Sequence, residues 1–275
     1  MSLSGRTFMV TGANTGIGRV TAVELAKRGG RVILACRSEE KTAPVLQEIE
    51  RAGGNASFLK LSLDDLSQVR DAAAAFVARG EPLHVLVNNA GLAGQRGLTK
   101  DGFELAFGVN HLGPFLLTTL LLPRLLEADA PRIVNVSSKS HYRAKGIDWE
   151  AVRRPTASTT GLPEYEVSKL ANVLFTKEMA RRQAGKVKSY ALHPGVIASD
   201  VWRGVPWGVR HVMKLFMKSN EEGAKTSLYC AASDAVRDDD GRYYDEERER
   251  KPSRVAEDAA LAAELWSRSE AWTKG

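Results

Sequence analysis

The chain has 275 residues, 43% apolar and 26% charged, and 39 basic against 33 acidic side chains leave a formal charge of +6. This mixture sits near the globular average and excludes disorder, collagen and coiled coil. The only two cysteines, Cys36 and Cys230, exclude a disulfide framework and suit a reducing compartment.

The first residues lead straight into an apolar run without the charged-then-apolar layout of a signal peptide. From there, short β-rich runs alternate with helical stretches. The runs predict strands over 7–10, 31–36, 56–61, 85–87, 132–137 and 187–192, with a short late strand over 242–244. The helices fall over 16–28, 39–52, 67–79, 111–128, 164–182, 221–233 and 254–268. Gly29-Gly30 and Gly53-Gly54 follow two of these, where a left-handed cap needs glycine. Near-continuous apolar strands separated by helices predict an α/β fold: a single-domain, doubly wound parallel sheet of the Rossmann type, with helices on both faces. The apolar stretch 112–126 contains Pro114, Pro123 and Arg124 and falls short of a bilayer's width. A cytoplasmic protein is therefore expected, with membrane contact disfavoured. Basic residues are interleaved with acids, so no nucleic-acid partner is expected. A homodimer is compatible with the chain.

In such a sheet, ligands bind beyond the carboxyl ends of the strands, so the residues after each strand carry the chemistry. After the first come Thr11-Gly12-Ala13-Asn14-Thr15-Gly16-Ile17-Gly18. Glycines there permit a tight turn and close approach of a pyrophosphate, which rests on the following helix N-terminus. The second strand ends at Cys36 and is followed by Arg37 rather than an acid, which suits the 2′-phosphate of NADP over the 2′-hydroxyl of NAD. After the fourth, Asn88-Asn89-Ala90-Gly91 offers small residues and amides against which a ligand can lie. The fifth ends Ser137-Ser138, where a hydroxyl can bind a substrate carbonyl. The sixth ends His193-Pro194-Gly195, a loop suited to closing over a nicotinamide. Asn110 opens the long apolar helix. In Tyr165-Glu166-Val167-Ser168-Lys169, the spacing of four places tyrosine and lysine on one helix face. An ammonium there favours the phenolate and lowers the tyrosine pKa.

Taken together, these motifs resemble the short-chain dehydrogenase/reductase family over about residues 5–270. The strings Asn110-His111-Leu112-Gly113-Pro114-Phe115-Leu116-Leu117-Thr118, Ile133-Val134-Asn135-Val136-Ser137-Ser138 and Ser168-Lys169-Leu170-Ala171-Asn172 are similar to its retinol-dehydrogenase-like branch. The resemblance implies a catalytic set of Asn110, Ser138, Tyr165 and Lys169. In that set Tyr165 is the general acid/base, Ser138 polarises the oxygen, and Asn110 helps hold a water that links Lys169 to solvent. It implies a cofactor site of Gly12, Asn14, Thr15, Gly16, Ile17, Gly18, Arg37, Ser62, Asn89, Ala90, Gly91, Tyr165, Lys169, Pro194, Gly195 and Ser199. Ser199 falls where the family has a hydroxyl for the carboxamide, and Ser62 where it usually has an acid for the adenine. The implied activity is NADP(H)-dependent interconversion of a carbonyl and an alcohol on a hydrophobic small molecule. The alternatives are an NADP-binding protein without turnover and an enoyl reductase on the same scaffold. Residues 196–220 correspond to a substrate lid. Within them Trp202, Trp207, Val209, Val212, Met213, Phe216 and Met217 alternate with Arg203, Arg210, Lys214 and Lys218, a pattern also open to membrane contact or plain core. The five histidines lack metal-ligand spacing, and Asp238-Asp239-Asp240-Gly241 reads as a turn rather than a calcium loop.

Overall fold

The structure, a computed structural model, describes residues 2–195 and 219–274. Among the described residues eight strands form one sheet: β1 (Thr7–Thr11), β2 (Arg31–Cys36), β3 (Asn55–Lys60), β4 (Val85–Asn88), β5 (Arg132–Val136), β6 (Lys188–His193), β7 (Arg242–Asp245) and β8 (Arg248–Glu249). Their order is β3-β2-β1-β4-β5-β6-β7-β8. The first seven run parallel and only β8 is antiparallel. The central strands are buried along their whole length, as their unbroken apolar composition requires.

Helices cover both faces. On one lie α1 (Gly16–Lys27), α2 (Glu39–Arg51) and α6 (Asn220–Ala232), which pack with Phe8, Val10, Leu34 and Tyr190. On the other lie α3 (Leu66–Val77), α4 (Gly113–Leu126), α5 (Leu162–Gln183) and α7 (Ala259–Thr273), packed with Met9, Ile33, Leu86 and Tyr243. The strand order reverses direction at β1, which pairs with β2 on one side and β4 on the other. The crevice beyond β1 and β4 is thus the switch point where a doubly wound sheet receives ligands.

Three elements differ from expectation. The stretch 254–268 is two elements, because Asp258 is extended and its carboxylate accepts from the amides of Ala260 and Leu261. That N-cap starts α7 afresh after a 3₁₀ turn, Arg254–Glu257. The β7–β8 hairpin was not foreseen; it turns through Glu246 and Glu247, both at positive φ. The long apolar helix also begins earlier than 111. Leu105–Phe107 is capped by the Glu104 carboxylate, and Gly108–Leu112 continues as a π-helical turn into α4. The helical path Leu105–Leu126 therefore runs for 22 residues with a mean hydropathy of 1.5, although 72% of its apolar window is buried inside the protein. Pro114 does not interrupt it, since it stands in the first turn of α4.

Candidate active site

The glycine-rich loop is built by backbone geometry and one polar bolt. Gly12 and Gly16 have φ of +66° and +58°, in the left-handed region where a side chain is strained. Gly18 is needed for closeness: a Cβ there would stand 2.4 Å from both Asn89 Nδ2 and the Gly12 carbonyl oxygen. Asn89 donates through Nδ2 to the Thr11 carbonyl at 2.8 Å, and the Thr11 hydroxyl accepts from the amides of Asn89 (3.0 Å) and Ala90 (2.9 Å). The loop after β1 is thereby fixed to the loop after β4 across the switch point. Thr11 was absent from the sequence-based set. A hydroxyl closing a strand just before a glycine turn was the signal that could have found it.

Asn14, Thr15, Gly16 and Ile17 are half-buried and surround the N-terminus of α1. Beneath them the Cys36 thiol accepts hydrogen bonds from this loop's backbone, while burial pushes its pKa up. Next to it Arg37 is exposed and has no ion-pair partner among the described residues. Arg19, by contrast, is held by Glu48 at 2.6 Å. Ser62 donates to the carboxylate of Asp64. A carboxylate two positions beyond the expected one is therefore drawn to Ser62. An open loop of backbone donors, small residues where a polyphosphate must approach, and an uncommitted guanidinium fit a phosphorylated dinucleotide.

The second half of the crevice lies at the ends of β5 and α5. Ser138 follows β5 in extended conformation, and its hydroxyl is hydrogen-bonded to the phenol of Tyr165. The Ser137 hydroxyl points elsewhere, donating to the Lys169 carbonyl at 2.7 Å. Lys169 Nζ donates to the Val136 carbonyl at 2.8 Å and lies 5.6 Å from the centre of the Tyr165 ring. Asn110 sits in the π-helical turn. Its side chain accepts from the Leu92 amide (2.8 Å) and donates to the Leu92 carbonyl and the Ser168 hydroxyl, both at 2.9 Å. A Cβ on Gly91 would fall 3.1 Å from Asn110 Oδ1 and 3.4 Å from Lys169 Nζ, so glycine is what lets these two side chains meet. Asn110, Ser138, Tyr165 and Lys169 thus gather in one place.

The electrostatics depart from the expectation that the ammonium lowers the tyrosine pKa. Burial dominates: it pushes the Tyr165 phenol up to about 12, against the pull of the Ser138 hydrogen bond. Burial also brings Lys169 down to about 7. Both groups are held where water solvates neither charged form well.

Pro194 and Gly195 end the described stretch after β6, Gly195 at φ +95°. Ser199 and nearly all of the expected lid lie outside the described residues. Among the described residues no group of histidine, cysteine and carboxylate side chains could hold a metal ion. Asp238–Gly241 forms the turn into β7, where the Asp240 carboxylate accepts from the Ser189 amide and Gly241 has φ +66°.

Residues 6–151 match the family model described as short chain dehydrogenase. Retinol dehydrogenase 11 of Homo sapiens is 42% identical over 273 residues, covering 97% of this chain and 85% of that protein. The crystal structure of an uncharacterised protein from Mycobacterium paratuberculosis superposes with a TM-score of 0.81 at 35% identity, covering 99% of this chain and 95% of that one. A Beutenbergia cavernae protein described as an NAD(P)-dependent gluconate 5-dehydrogenase, with NADP bound at low occupancy, superposes at 0.70 with 25% identity, covering 89% and 96%. These relatives overturn one expectation. Retinol is a hydrocarbon-rich alcohol that partitions into membranes, and the helical path Leu105–Leu126 is long and apolar enough to cross one. The shortness of the apolar stretch no longer argues against membrane association, and the cytoplasmic assignment is withdrawn.

Proposed function

The chain belongs to the short-chain dehydrogenase family, and from that premise we propose that it is an NADP(H)-dependent oxidoreductase interconverting a carbonyl and an alcohol on a hydrophobic small molecule. The observation that carries this reading is the buried Ser138–Tyr165 hydrogen bond beside Lys169, at the same strand ends as the glycine loop. Gly12, Asn14, Thr15, Gly16, Ile17 and Gly18 receive the pyrophosphate, and Arg37 takes the 2′-phosphate. Asn89, Ala90, Gly91, Pro194, Gly195 and Ser199 border the remainder of the cofactor, with Ser62 and its partner Asp64 at the adenine end. When bound, the nicotinamide supplies or accepts the hydride.

In the reducing direction Tyr165 gives its proton to the carbonyl oxygen. Ser138 donates to the same oxygen and aligns it with the phenol. The high pKa of Tyr165 keeps it protonated and ready to donate at neutral pH. In the oxidising direction the phenolate is needed, and a protonated Lys169 stabilises it. Asn110 secures the Leu92 backbone and with it the narrow step at Gly91 where Lys169 rests. The similarity to a retinol dehydrogenase supports an extended apolar substrate. The whole chain acts as one domain.

The test is a panel of aldehydes and ketones, all-trans-retinal among them, followed by NADPH absorbance. Turnover of at least one apolar carbonyl is expected. Tight NADPH binding with no turnover across the panel would replace the reading with a cofactor-binding protein. Reduction of a carbon–carbon double bond in an enone would replace it with an enoyl reductase.

A further inference from the structure

The turn that follows Ser138 is clasped to the chain beyond β7 by three side chains. Lys139 Nζ pairs with the Asp245 carboxylate at 2.8 Å, the Tyr142 hydroxyl donates to the Lys251 carbonyl at 2.5 Å, and the Ser253 amide donates to His141 Nε2 at 3.1 Å. His141 alone of these also reaches back to the proposed catalytic serine. Its Nδ1 stands 2.7 Å from the Ser138 carbonyl oxygen. A carbonyl can only accept and a backbone amide can only donate, so both ring nitrogens are assigned: Nδ1 carries the proton and Nε2 is the acceptor. The ring is fully buried, with the Tyr243 ring centred 4.8 Å away, and burial lowers its pKa, which keeps it neutral.

We infer that His141 is a positioning residue for Ser138: as a neutral Nδ1–H tautomer it fixes the Ser138 backbone, and so aims the hydroxyl at Tyr165, using the 250–253 segment as its anchor. The geometry favours this over a packing role. The Ser138 carbonyl also accepts the backbone amide of His141 at 3.1 Å, and the Ser138 hydroxyl accepts the Ser140 amide at 3.1 Å. The Lys139 and Tyr142 contacts anchor the turn as a whole, whereas the imidazole bridge is the one of the three that ties the backbone of the serine itself to the 250–253 segment. A small misplacement of a reacting group can cost on the order of 10²-fold in rate. The inference rests on the proposed role of Ser138.

The experiment compares His141→Gln, His141→Asn and Ser138→Ala in the full chain, using all-trans-retinal or the panel carbonyl turned over fastest. Asparagine places its amide nitrogen where Nδ1 is and can still donate to the Ser138 carbonyl. Glutamine places its amide where Nε2 is, and can hold Ser253 but not Ser138. The expected result is a 10- to 100-fold fall in kcat for His141→Gln, roughly, with KM for NADPH unchanged and most of the loss recovered in His141→Asn. In a Ser138→Ala background the His141→Gln change should have no further effect on kcat, because the group being positioned is gone. Independently, ¹⁵N NMR of the histidine side chains should show His141 as the neutral Nδ1–H tautomer. Equal kcat for Gln and Asn, or an undiminished His141→Gln effect without the Ser138 hydroxyl, would overturn the positioning role. Full activity in Ser138→Ala would instead remove the functional reading itself.

Discussion

At the scale of single residues, the consequential fact is that the two titratable groups of the site are buried together. Replacing Tyr165 by Phe keeps the ring and removes the proposed proton donor. Acid–base assistance is worth about 10²–10⁴ in rate, so kcat should fall by that factor while NADPH affinity, followed by fluorescence titration, stays near that of the unaltered protein. Lys169→Met should weaken both catalysis and cofactor binding. Arg37 is exposed and unpaired among the described residues, which leaves it able to meet a phosphate. A charge-assisted hydrogen bond contributes about 1.5–3 kcal/mol, or roughly a 10- to 150-fold preference. The ratio of kcat/KM for NADPH over NADH should be of that size. In Cys36→Asp/Arg37→Ala it should invert, as a carboxylate at the end of β2 accepts from a ribose hydroxyl and repels a 2′-phosphate. Equal use of both cofactors by the unaltered chain would refute the role given to Arg37.

At the scale of elements, caps and close approaches decide what the helices can do. Gly18→Ala would set a methyl group 2.4 Å from the Gly12 carbonyl oxygen, a backbone atom that cannot swing aside. The loop must shift, and binding of either cofactor should weaken together, unlike the selective effect at Arg37; isothermal titration with both cofactors separates the two cases. Asp65 caps α3 through the amides of Ser67 and Gln68 and is paired with Lys100 at 2.6 Å. The bond to Lys100, with those to Ser67 and Gln68, holds its carboxyl well below the usual carboxylate range. Loss of an N-cap costs about 0.5–2 kcal/mol. Asp65→Ala should therefore lower Tm by a few degrees. The stabilisation from Asp65 is complete above the unfolded carboxylate pKa of about 3.9 and is lost as pH falls through the folded value. The variant should consequently show a shallower loss of stability in acid.

At the scale of the whole molecule, the buried Lys169 makes the stability of the cofactor-free protein depend on pH. Its folded pKa is about 7, against roughly 10.4 for an unfolded lysine. Between these values the unfolded chain holds the extra proton, so stability rises with pH across that window. Urea unfolding at pH 7 and pH 9.5 should show the rise, and Lys169→Met should flatten it. Tyr165 acts in the opposite sense above pH 10, where the folded state keeps a proton that the unfolded phenol has lost. If the pH slope survives in Lys169→Met, the burial of that ammonium is not its source.

The alternation of apolar runs and helical stretches in the sequence determined the doubly wound class and all seven parallel strands to within a residue at either end, because strands buried on both faces must be apolar throughout. It also determined the glycine loop and the Tyr165–Lys169 pair, since tight turns and helix faces are local properties. The sequence left open how Asn110, Ser138 and Lys169 converge: their contacts join segments 18 to 58 residues apart, and only the packing of α4 and α5 against the sheet brings them together. Tertiary structure alone showed that Ser62 gathers Asp64, that Thr11 bolts the two ligand loops, and that Asp258 divides the last helical stretch. It also reversed the expected sign for Tyr165. The sequence shows a cation four residues away, whereas the degree of desolvation that outweighs it exists only once the site is enclosed.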